Sequence, residues 1–283
     1  RDLHRLMRRQ RQMCIRDSVY WKLTGWPKDK GIRRFMEKIK RLKFHNPFFI
    51  FMNLMEVHEP YSPKNQFSKD QRISIKNDGV KEELVQFYRT WYKKHVKYIS
   101  EKILELINIF EDKNSFDRTL VIITSDHGQL LGEHGRLGHG IFLFDELLKV
   151  PLAIKYPANK ELYIEYDRFS LKYISLTKLK SLILKLIKST KFEEKLLYSD
   201  VAFAESYGLT LNVKTFLKHY GEKNLENFEK YRIAIYYRNF KGIFDVSNLN
   251  FEKIFSYDEH VKPDSSIIDS MKEWVIRLFD LSI

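Results

Sequence analysis

Three short apolar runs, each followed by a polar segment, constrain the fold of this chain more than any other feature. The runs cover residues 47–55, 119–124 and 150–156, and helical patterns lie between them. Short continuous apolar runs bounded by turn residues are typical of strands that are buried on both faces. Because strands and helices alternate, the sequence predicts an α/β fold with a mostly parallel sheet flanked by helices.

Periodic apolar residues predict the helices that accompany this sheet. An amphipathic pattern with Lys and Arg between the apolar positions predicts a surface helix over residues 28–43. A longer apolar stripe predicts a helix from residue 81 to about residue 110. Further helices are expected over residues 142–148, 171–187 and 265–279.

The pattern after residue 160 is looser and predicts a smaller α+β part at the C-terminal end. Residues 201–205 indicate one strand, and residues 231–244 indicate an antiparallel pair around a turn. The polar stretch at residues 62–80, which contains Pro and Gly, is interpreted as a surface excursion.

Positive charge is concentrated at the front of the chain, whose formal net charge is +13. Residues 1–46 hold 15 Lys or Arg and four Asp or Glu, so the rest is nearly neutral. A basic arm that binds polyanions is one interpretation. We favour a non-native leader over residues 1–18, because this run lacks strand alternation and a signal-peptide apolar region and resembles translated adaptor sequence. No specific nucleic-acid partner is predicted.

Apolar run length and cysteine content narrow the class of protein further. The longest apolar runs fall short of the roughly 18 to 20 residues that cross a bilayer, so no membrane span is predicted. The single cysteine, Cys14, excludes an internal disulfide and favours neither an oxidising nor a reducing compartment.

Histidines and an aspartate follow two of the predicted strands. His58 follows the first run, and Asp126, His127 and Gly128 follow the second. In open α/β sheets ligands bind beyond the carboxyl ends of strands, so we expect these side chains to meet. A carboxylate and an imidazole can bind a divalent cation, and Gly128 permits a tight turn. A purely structural role for this short motif is the alternative.

A further histidine lies between two glycines thirteen residues after Asp126. In this glycine-rich loop His139 could contact substrate or complete a second metal site, although a plain surface loop is the alternative. His134 is expected to be solvated, or to contact residues of the site without contacting the metal or the substrate. Incidental surface or core roles are expected for the remaining five histidines, which are His4, His45, His95, His219 and His260. Of these, His95 is expected on the polar face of a helix.

Three segments of the chain together resemble a known family. The run TLVIITSDHGQLLGEHGRLGHGIFLFDELLKVPLAIKYP, residues 119–157, resembles the sulfatase branch of the alkaline phosphatase superfamily over its whole length. The runs PFFIFMNLMEVHEPY and YKKHVKYISEKILEL resemble the strand with its His-containing loop and the following helix of that family. The segments occur in the family's order and span about residues 45–160.

This resemblance implies an alkaline phosphatase-like fold, present in part, and one divalent metal ion, Ca or Mg first and Mn or Zn as alternatives. It implies that Asp126 and His127 bind the metal, and that the catalytic residue His58 contacts the ester and protonates the leaving oxygen. His139, the second catalytic candidate, stands where many sulfatases have Lys. The implied partners are sulfate esters of small molecules or carbohydrates.

The same resemblance implies parts that this sequence does not contain. The family has an acidic pair near its first strand and a Cys or Ser nucleophile in a C-x-P-S-R-like segment, whereas Cys14-Ile15-Arg16 lacks the Pro and the Ser. We therefore expect a truncated gene product that is inactive alone. Residues 19–160 would be the C-terminal part of the α/β catalytic domain, and residues 161–283 its α+β region.

Three functions remain open at this stage. The first is a metal-dependent hydrolase of sulfate monoesters, a sulfuric ester hydrolase. The second is a phosphoryl or phosphonate ester hydrolase, or a phosphoethanolamine-type transferase, which is favoured by His127 and His139 because imidazoles suit Zn or Mn. The third, from another class, is a non-catalytic binding module that uses the basic front as its contact surface.

Overall fold

The computed structural model of the protein describes residues 27, 29–44, 47–61, 80–163, 172–189, 191–219 and 225–281. The described residues form two compact units. Unit 1 contains those up to Thr119 together with Leu130–Gly138, and unit 2 contains Leu120–Gln129 together with those from His139 onward. The predicted leader at 1–18, the predicted excursion at 62–79, His4, His45 and the side chain of His219 lie outside the described part.

Two helices form the core of unit 1, and both were predicted. Helix α1 is Ile32–Arg41 and helix α2 is Glu82–Asp112. The buried side chains of α1 pack on one face of α2, and each contributes roughly 1.5 to 3 kcal/mol by leaving water. Asp29 orients the start of α1, because its carboxylate accepts hydrogen bonds from the Gly31 N–H and from the Tyr98 hydroxyl. The core residues are Ile32, Met36, Ile39, Ile99, Leu106 and Ile109.

The first apolar run differs from its prediction. Residues 47–54 belong to no strand among the described residues, and a 3₁₀ helix, Met55–Val57, follows. Phe49 and Phe51 are 77% and 81% exposed. The prediction of a strand buried on both faces is wrong, because only alternate side chains of the run pack on the α1–α2 core. These are Ile50, Met52 and Leu54.

Unit 1 also contains a short antiparallel pair. Strand β2, Leu130–Leu131, pairs with strand β3, Leu137–Gly138. Leu131 and Leu137 pack with aromatic side chains of α2, and Arg89 of α2 donates to the carbonyl oxygen of Leu131 at 2.8 Å. The pair is therefore fixed to the long helix by apolar contacts and by a hydrogen bond.

The second and third apolar runs pair with each other in unit 2. Strand β1, Val121–Thr124, pairs with strand β4, Leu152–Lys155, and the pairing is antiparallel. The parallel pairing expected for these two runs is wrong. The connection, residues 125–151, is long enough for a parallel crossover. The predicted helix at 142–148, however, reduces to the one-turn helix α3, Asp145–Leu148. Ile123 and Thr124, which point to opposite faces, are both exposed, so the C-terminal half of β1 is buried on neither face.

The middle of unit 2 consists of small elements. Helix α4 is Leu179–Lys188, which confirms the second half of the predicted helix at 171–187, and Leu182 and Leu186 pack with residues of β1 and β4. Two pairs of short strands accompany α4, of which β5 with β7 is parallel and β6 with β8 is antiparallel. Their bounds are Glu161–Tyr163 (β5), Tyr173–Ile174 (β6), Lys191–Glu193 (β7) and Tyr198–Ser199 (β8).

The C-terminal part of unit 2 is a four-stranded antiparallel sheet with helices. The predicted strand at 201–205 and the predicted pair within 231–244 are confirmed, and a strand that was not predicted completes the sheet in the order β12-β11-β10-β9. The elements are β9 (Val201–Ser206), α5 (Leu211–His219), β10 (Arg232–Tyr237), β11 (Phe240–Asp245), β12 (Asn250–Ser256) and α6 (Ser265–Phe279).

Helix α6 packs on this sheet and forms the largest core of unit 2. Met271 and Val275 are fully buried against Ile235 and Phe244. Asp264 caps the helix, because its carboxylate accepts a hydrogen bond of 2.9 Å from the Ile267 N–H. The predicted helix at 265–279 is therefore confirmed at both ends.

The described elements are a mixture of helices and sheets, which confirms the mixed α/β class. Among the described helices, none combines the length and the apolar character needed to cross a membrane.

Candidate active site

The Asp126–His127 motif follows strand β1 directly, as predicted. Ser125 is the first residue after the strand, and its hydroxyl donates a hydrogen bond of 2.6 Å to the carbonyl oxygen of His127. The Asp126 carboxylate accepts a hydrogen bond of 3.0 Å from the His127 N–H. These two local bonds fold the segment into a tight loop in which Asp126 is exposed and His127 is half-buried.

Asp126 and His127 present two metal-binding atoms close together. The Asp126 Oδ1 lies 3.9 Å from the His127 Nε2. The His127 Nδ1 lies 2.7 Å from the carbonyl oxygen of Gly128, and a carbonyl oxygen only accepts, so Nδ1 carries the proton. In the neutral ring the lone pair is therefore on Nε2, the nitrogen that faces the carboxylate.

The two atoms fit one divalent cation. Their separation is shorter than roughly 4 to 5 Å, the sum of two metal–ligand bonds, so one ion could contact both. Carboxylate and imidazole donors are used by Zn and Mn, whereas Ca and Mg need further oxygen ligands. Across the described ranges no group of three or more His, Cys, Asp or Glu side chains could hold a metal ion. The pair thus supplies part of a coordination sphere.

Gly128 has a different role from the one predicted. Its φ is outside the left-handed region, so no turn there requires glycine. A Cβ atom at this position would lie 1.9 Å from the backbone carbonyl oxygen of Glu146, and the Gly128 N–H donates to the carbonyl oxygen of Leu147 at 2.8 Å. Glycine is therefore required because the loop lies directly against helix α3.

The structure brings His139 to His127. The two imidazole rings stack with centroids 4.2 Å apart and an angle of 29° between their planes. The His139 Nδ1 lies 2.9 Å from the Gln129 Oε1, which holds the ring in place. Gln129 and His139 flank the paired strands β2 and β3, and this pairing explains why they meet. The sequence analysis missed Gln129, because only the hairpin makes the two residues neighbours.

His58 lies on a separate loop in unit 1. It is exposed, directly follows the 3₁₀ helix Met55–Val57, and precedes a cis Glu59–Pro60 bond. Its Nδ1 lies 2.8 Å from the Glu59 carbonyl oxygen, so Nδ1 donates and the lone pair of the neutral ring is on Nε2. The Lys30 ammonium donates hydrogen bonds to the carbonyl oxygens of His58 and Glu59. The expected meeting of His58 with the motif in unit 2 stays a prediction.

His95 supports the His58 loop instead of lying on a polar helix face. Its side chain is fully buried, so the prediction of a polar-face residue is wrong. The ring nitrogens Nδ1 and Nε2 lie 2.7 and 3.0 Å from the carbonyl oxygens of Glu56 and Tyr61. His95 therefore holds both ends of the loop, two residues before and three residues after His58. His134, by contrast, is exposed.

Comparison with known proteins gives the family. The model of the family described as Sulfatase matches residues 8–186, which is more than half of the chain. The chain belongs to the sulfatase family. The match includes both the His58 loop and the segment from Asp126 to His139, so the resemblance seen in the sequence is confirmed. It begins inside the segment predicted to be a non-native leader, and that assignment stays a prediction.

Curated relatives of this sulfatase-family chain match parts of it. A choline-sulfatase of Rhizobium meliloti (strain 1021) is 34% identical over 103 residues, which are 36% of this chain and 19% of the relative. A low-salt glycan biosynthesis sulfotransferase of Haloferax volcanii is 34% identical over 112 residues, 38% of this chain and 26% of the relative. An N-acetylglucosamine-6-O-sulfatase of Bacteroides thetaiotaomicron is 38% identical over 72 residues, 25% and 13% of the two chains. The matched segments thus span less than a third of each relative.

Among solved structures, a phosphonate monoester hydrolase from Silicibacter pomeroyi is similar with a TM-score of 0.48 and 15% sequence identity. The similarity covers 69% of this chain and 41% of that chain. A likeness at this level adds no detail about the site.

Proposed function

We propose that the protein acts in the hydrolysis of sulfate monoesters, as a sulfuric ester hydrolase that depends on a divalent cation. One observation carries the proposal: in a chain of the sulfatase family, the His127 and His139 rings stack beside the Asp126 carboxylate at the end of a strand. Two relatives are named as sulfatases of choline and of N-acetylglucosamine, which supports small-molecule or carbohydrate sulfate esters as the substrate class.

Asp126 and His127 are the proposed metal ligands. Asp126 offers an exposed carboxylate oxygen, and the His127 Nε2 faces it because Nδ1 donates to Gly128. When bound, a divalent cation would withdraw electron density from an ester oxygen and stabilise negative charge on it. Ca or Mg remains the first choice for the ion and Mn or Zn the alternative, because two donors alone do not select between them.

His58 and His139 are the proposed catalytic residues. Because the Nδ1–H of His58 is bonded to the Glu59 carbonyl oxygen, the proton donated to the leaving oxygen of the ester would be the Nε2 proton of the imidazolium form, which leaves the neutral ring protonated on Nδ1. The ring of His139 is fixed by Gln129 and by stacking on His127, so its Nε2 would contact a substrate oxygen.

Hydrolysis of phosphoryl or phosphonate esters is the second candidate. Imidazoles at both residue 127 and residue 139 favour it, since two nitrogen donors at a metal site suit Zn or Mn. The relative named as a sulfotransferase adds a third possibility within the family, in which the acceptor is a glycan hydroxyl in place of water.

Cation binding by this chain is the first test. We expect Mn²⁺ or Ca²⁺ to raise the melting temperature of the chain, and Asp126→Asn to abolish the rise. Asp200→Asn is the matched control, because Asp200 is an exposed aspartate of the same unit that pairs with Lys172. An equal rise in Asp126→Asn would exclude Asp126 as a ligand.

The reaction is tested on the gene product that carries this sequence. Its rates with 4-nitrophenyl sulfate, 4-nitrophenyl phosphate and a phenyl phosphonate ester are compared with and without cation. We expect cation-dependent hydrolysis that is fastest with the sulfate ester, and a loss of about 10² to 10⁴ in kcat for His58→Gln. A preference for the phosphate or phosphonate ester would favour the second candidate instead.

A further inference from the structure

We propose that Asp145 is a positioning residue for the Asp126–His127 pair, and that it acts through helix α3 and Gly128. The inference rests on the proposed function only in what it says about the cation, and its structural part is independent of any bound ion. Asp145 lies 18 residues beyond His127 in the sequence, so no local pattern connects the two.

Asp145 is the acceptor at the centre of a hydrogen-bonded cluster. Its Oδ1 accepts from the Tyr236 hydroxyl at 2.7 Å and from the Lys241 ammonium at 2.5 Å. Its Oδ2 accepts from the Tyr257 hydroxyl at 2.6 Å and from the Lys149 ammonium at 2.8 Å. One carboxylate therefore accepts from four donors. Two of them lie on β10 and β11, and the other two directly follow β12 and α3.

Lys241 makes this cluster rigid because its side chain is buried. The Lys241 Nζ also donates to the carbonyl oxygen of Leu143 at 2.6 Å. One buried ammonium therefore binds both the first residue of α3 and the residue two positions before it. A buried ammonium that loses one partner is costly, which disfavours any movement of α3 away from the sheet.

The charge of Asp145 is stable for the same reason. Burial raises its pKa, but the hydrogen bonds from Lys149, Lys241 and the two tyrosines outweigh burial and hold the pKa below its usual range. Asp145 is therefore a carboxylate throughout the neutral pH range, and the cluster does not switch with pH there.

Helix α3 transmits this fixed position to the site by backbone contact. The Leu147 carbonyl oxygen accepts from the Gly128 N–H at 2.8 Å, and the Glu146 carbonyl oxygen occupies the space that a side chain at residue 128 would need. The Gly128 carbonyl oxygen in turn accepts from the His127 Nδ1 at 2.7 Å. Two contacts of α3 with Gly128 and one hydrogen bond from His127 to Gly128 thus link the Asp145 cluster to the orientation of the His127 ring.

Loss of the Asp145 carboxylate would release this chain of contacts. In Asp145→Asn the side chain keeps its size, but its amide nitrogen cannot accept from Lys149, Lys241 or the tyrosines. We expect α3 to shift and the His127 ring to turn away from His139. In Tyr257→Phe one of the four hydrogen bonds is lost while the ring remains, so the effect should be smaller.

The structural part is tested without any added cation. NMR spectra of the imidazole groups report the stacking of His127 and His139 through their ring-current shifts and the contacts between their protons. We expect both signals to move in Asp145→Asn and in Gly128→Ala, to move less in Tyr257→Phe, and to stay unchanged in Asp200→Asn. If Asp145→Asn does not fold, Tyr257→Phe and Tyr236→Phe decide the matter. Unchanged His127 and His139 signals in the folded Asp145 or tyrosine variants overturn the proposal.

The consequence for the site is tested with Mn²⁺ as the probe. We expect the Kd for Mn²⁺ to rise roughly 10- to 100-fold in Asp145→Asn. This is the usual effect of removing a residue that orients a metal ligand without binding the metal itself. It should rise only a few-fold in Tyr257→Phe and not at all in Asp200→Asn. If the unchanged chain binds no Mn²⁺, the cation part of the proposed function fails, and the NMR result still decides whether Asp145 orients His127. Asp145→Asn could also fold and show shifted His127 signals while its Kd for Mn²⁺ is unaltered. That result would contradict the proposed effect of Asp145 on cation binding.

Discussion

The hydrogen bonds of the buried His95 bear on its protonation. Both of its ring nitrogens lie within hydrogen-bonding distance of backbone carbonyl oxygens, those of Glu56 and Tyr61. A carbonyl oxygen only accepts, so both bonds form together only when both nitrogens carry a proton. The His95 ring therefore connects α2 to the two ends of the His58 loop.

We predict that both ring nitrogens of His95 resonate in the protonated range of ¹⁵N NMR shifts at neutral pH. We also expect His95→Leu to lower the free energy of unfolding by about 1 to 3 kcal/mol, because two buried carbonyl oxygens lose their donors. Urea unfolding measures this loss, and the exposed His260 gives the control variant His260→Leu. One nitrogen in the unprotonated range would show that only one of the two bonds exists.

Lys30 lies beneath the same loop and links its stability to pH. Burial lowers the pKa of the Lys30 ammonium to about 8, although Glu56 and Glu59 oppose the shift. In the unfolded chain the group titrates near 10.5. Between these two values the unfolded chain binds more protons than the folded chain, so the stability contribution of Lys30 rises with pH across this window and is constant, at its lowest value, below about pH 8.

The prediction for Lys30 compares the unchanged chain with Lys30→Met. We expect the free energy of unfolding of the unchanged chain, minus that of Lys30→Met, to increase by up to about 2 kcal/mol from about pH 7 to about pH 10, after allowance for solvent screening. Urea titrations at several pH values measure it, and the exposed Lys40→Met is the control. A difference that does not change with pH would mean that Lys30 is solvated in the folded protein.

At the scale of elements, helix α6 and the four-stranded sheet form a tightly packed layer. A Cβ atom at Gly242 of β11 would lie 2.8 Å from the Met271 Cε and 2.5 Å from a ring carbon of Phe251. No space is therefore left between the helix and the strand at this point. A side chain removed here would leave a cavity that the backbone cannot close.

We predict that Met271→Ala lowers the free energy of unfolding by about 2 to 5 kcal/mol, the usual range for such a buried truncation. Leu278→Ala is the control on the same helix, because Leu278 is half exposed, and it should cost less than about 1 kcal/mol. Thermal or urea unfolding measures both. Equal losses in the two variants would mean that α6 does not pack on the sheet through Met271.

The helices of this chain follow from its sequence, whereas the pairing of its strands does not. The 3.6-residue period of α1, α2 and α6 fixes both their existence and their buried faces, with His95 as the exception. The apolar runs at 119–124 and 150–156 show that strands form, but an apolar run carries no information about direction. That β1 and β4 pair antiparallel is shown only by the folded chain.

At the scale of the whole molecule, positive charge is unevenly distributed. Most of the formal net charge of +13 comes from residues 1–46, and six arginines against two aspartates lie in residues 1–18. A basic segment of this kind binds polyanions without specificity and with strong salt dependence.

We predict that a variant without residues 1–18 elutes from immobilised heparin at clearly lower salt than the full chain. The salt dependence of retention, measured at several ionic strengths, should also become less steep, because fewer cations contact the polyanion. Steep retention that persists in the shortened chain would contradict this expectation and favour the interpretation as a polyanion-binding module.

The family and the candidate residues were determined by the sequence alone, because the Asp126-His127-Gly128 motif, the His58 loop and His139 lie in contiguous stretches with a recognisable order. Only the tertiary structure decided how the site is held together. The stacking of His127 on His139, the burial of His95 and the link from Asp145 through α3 to Gly128 all join residues that are distant in sequence. Such contacts depend on where a strand turns and which carbonyl a helix presents, and no local period or spacing encodes either.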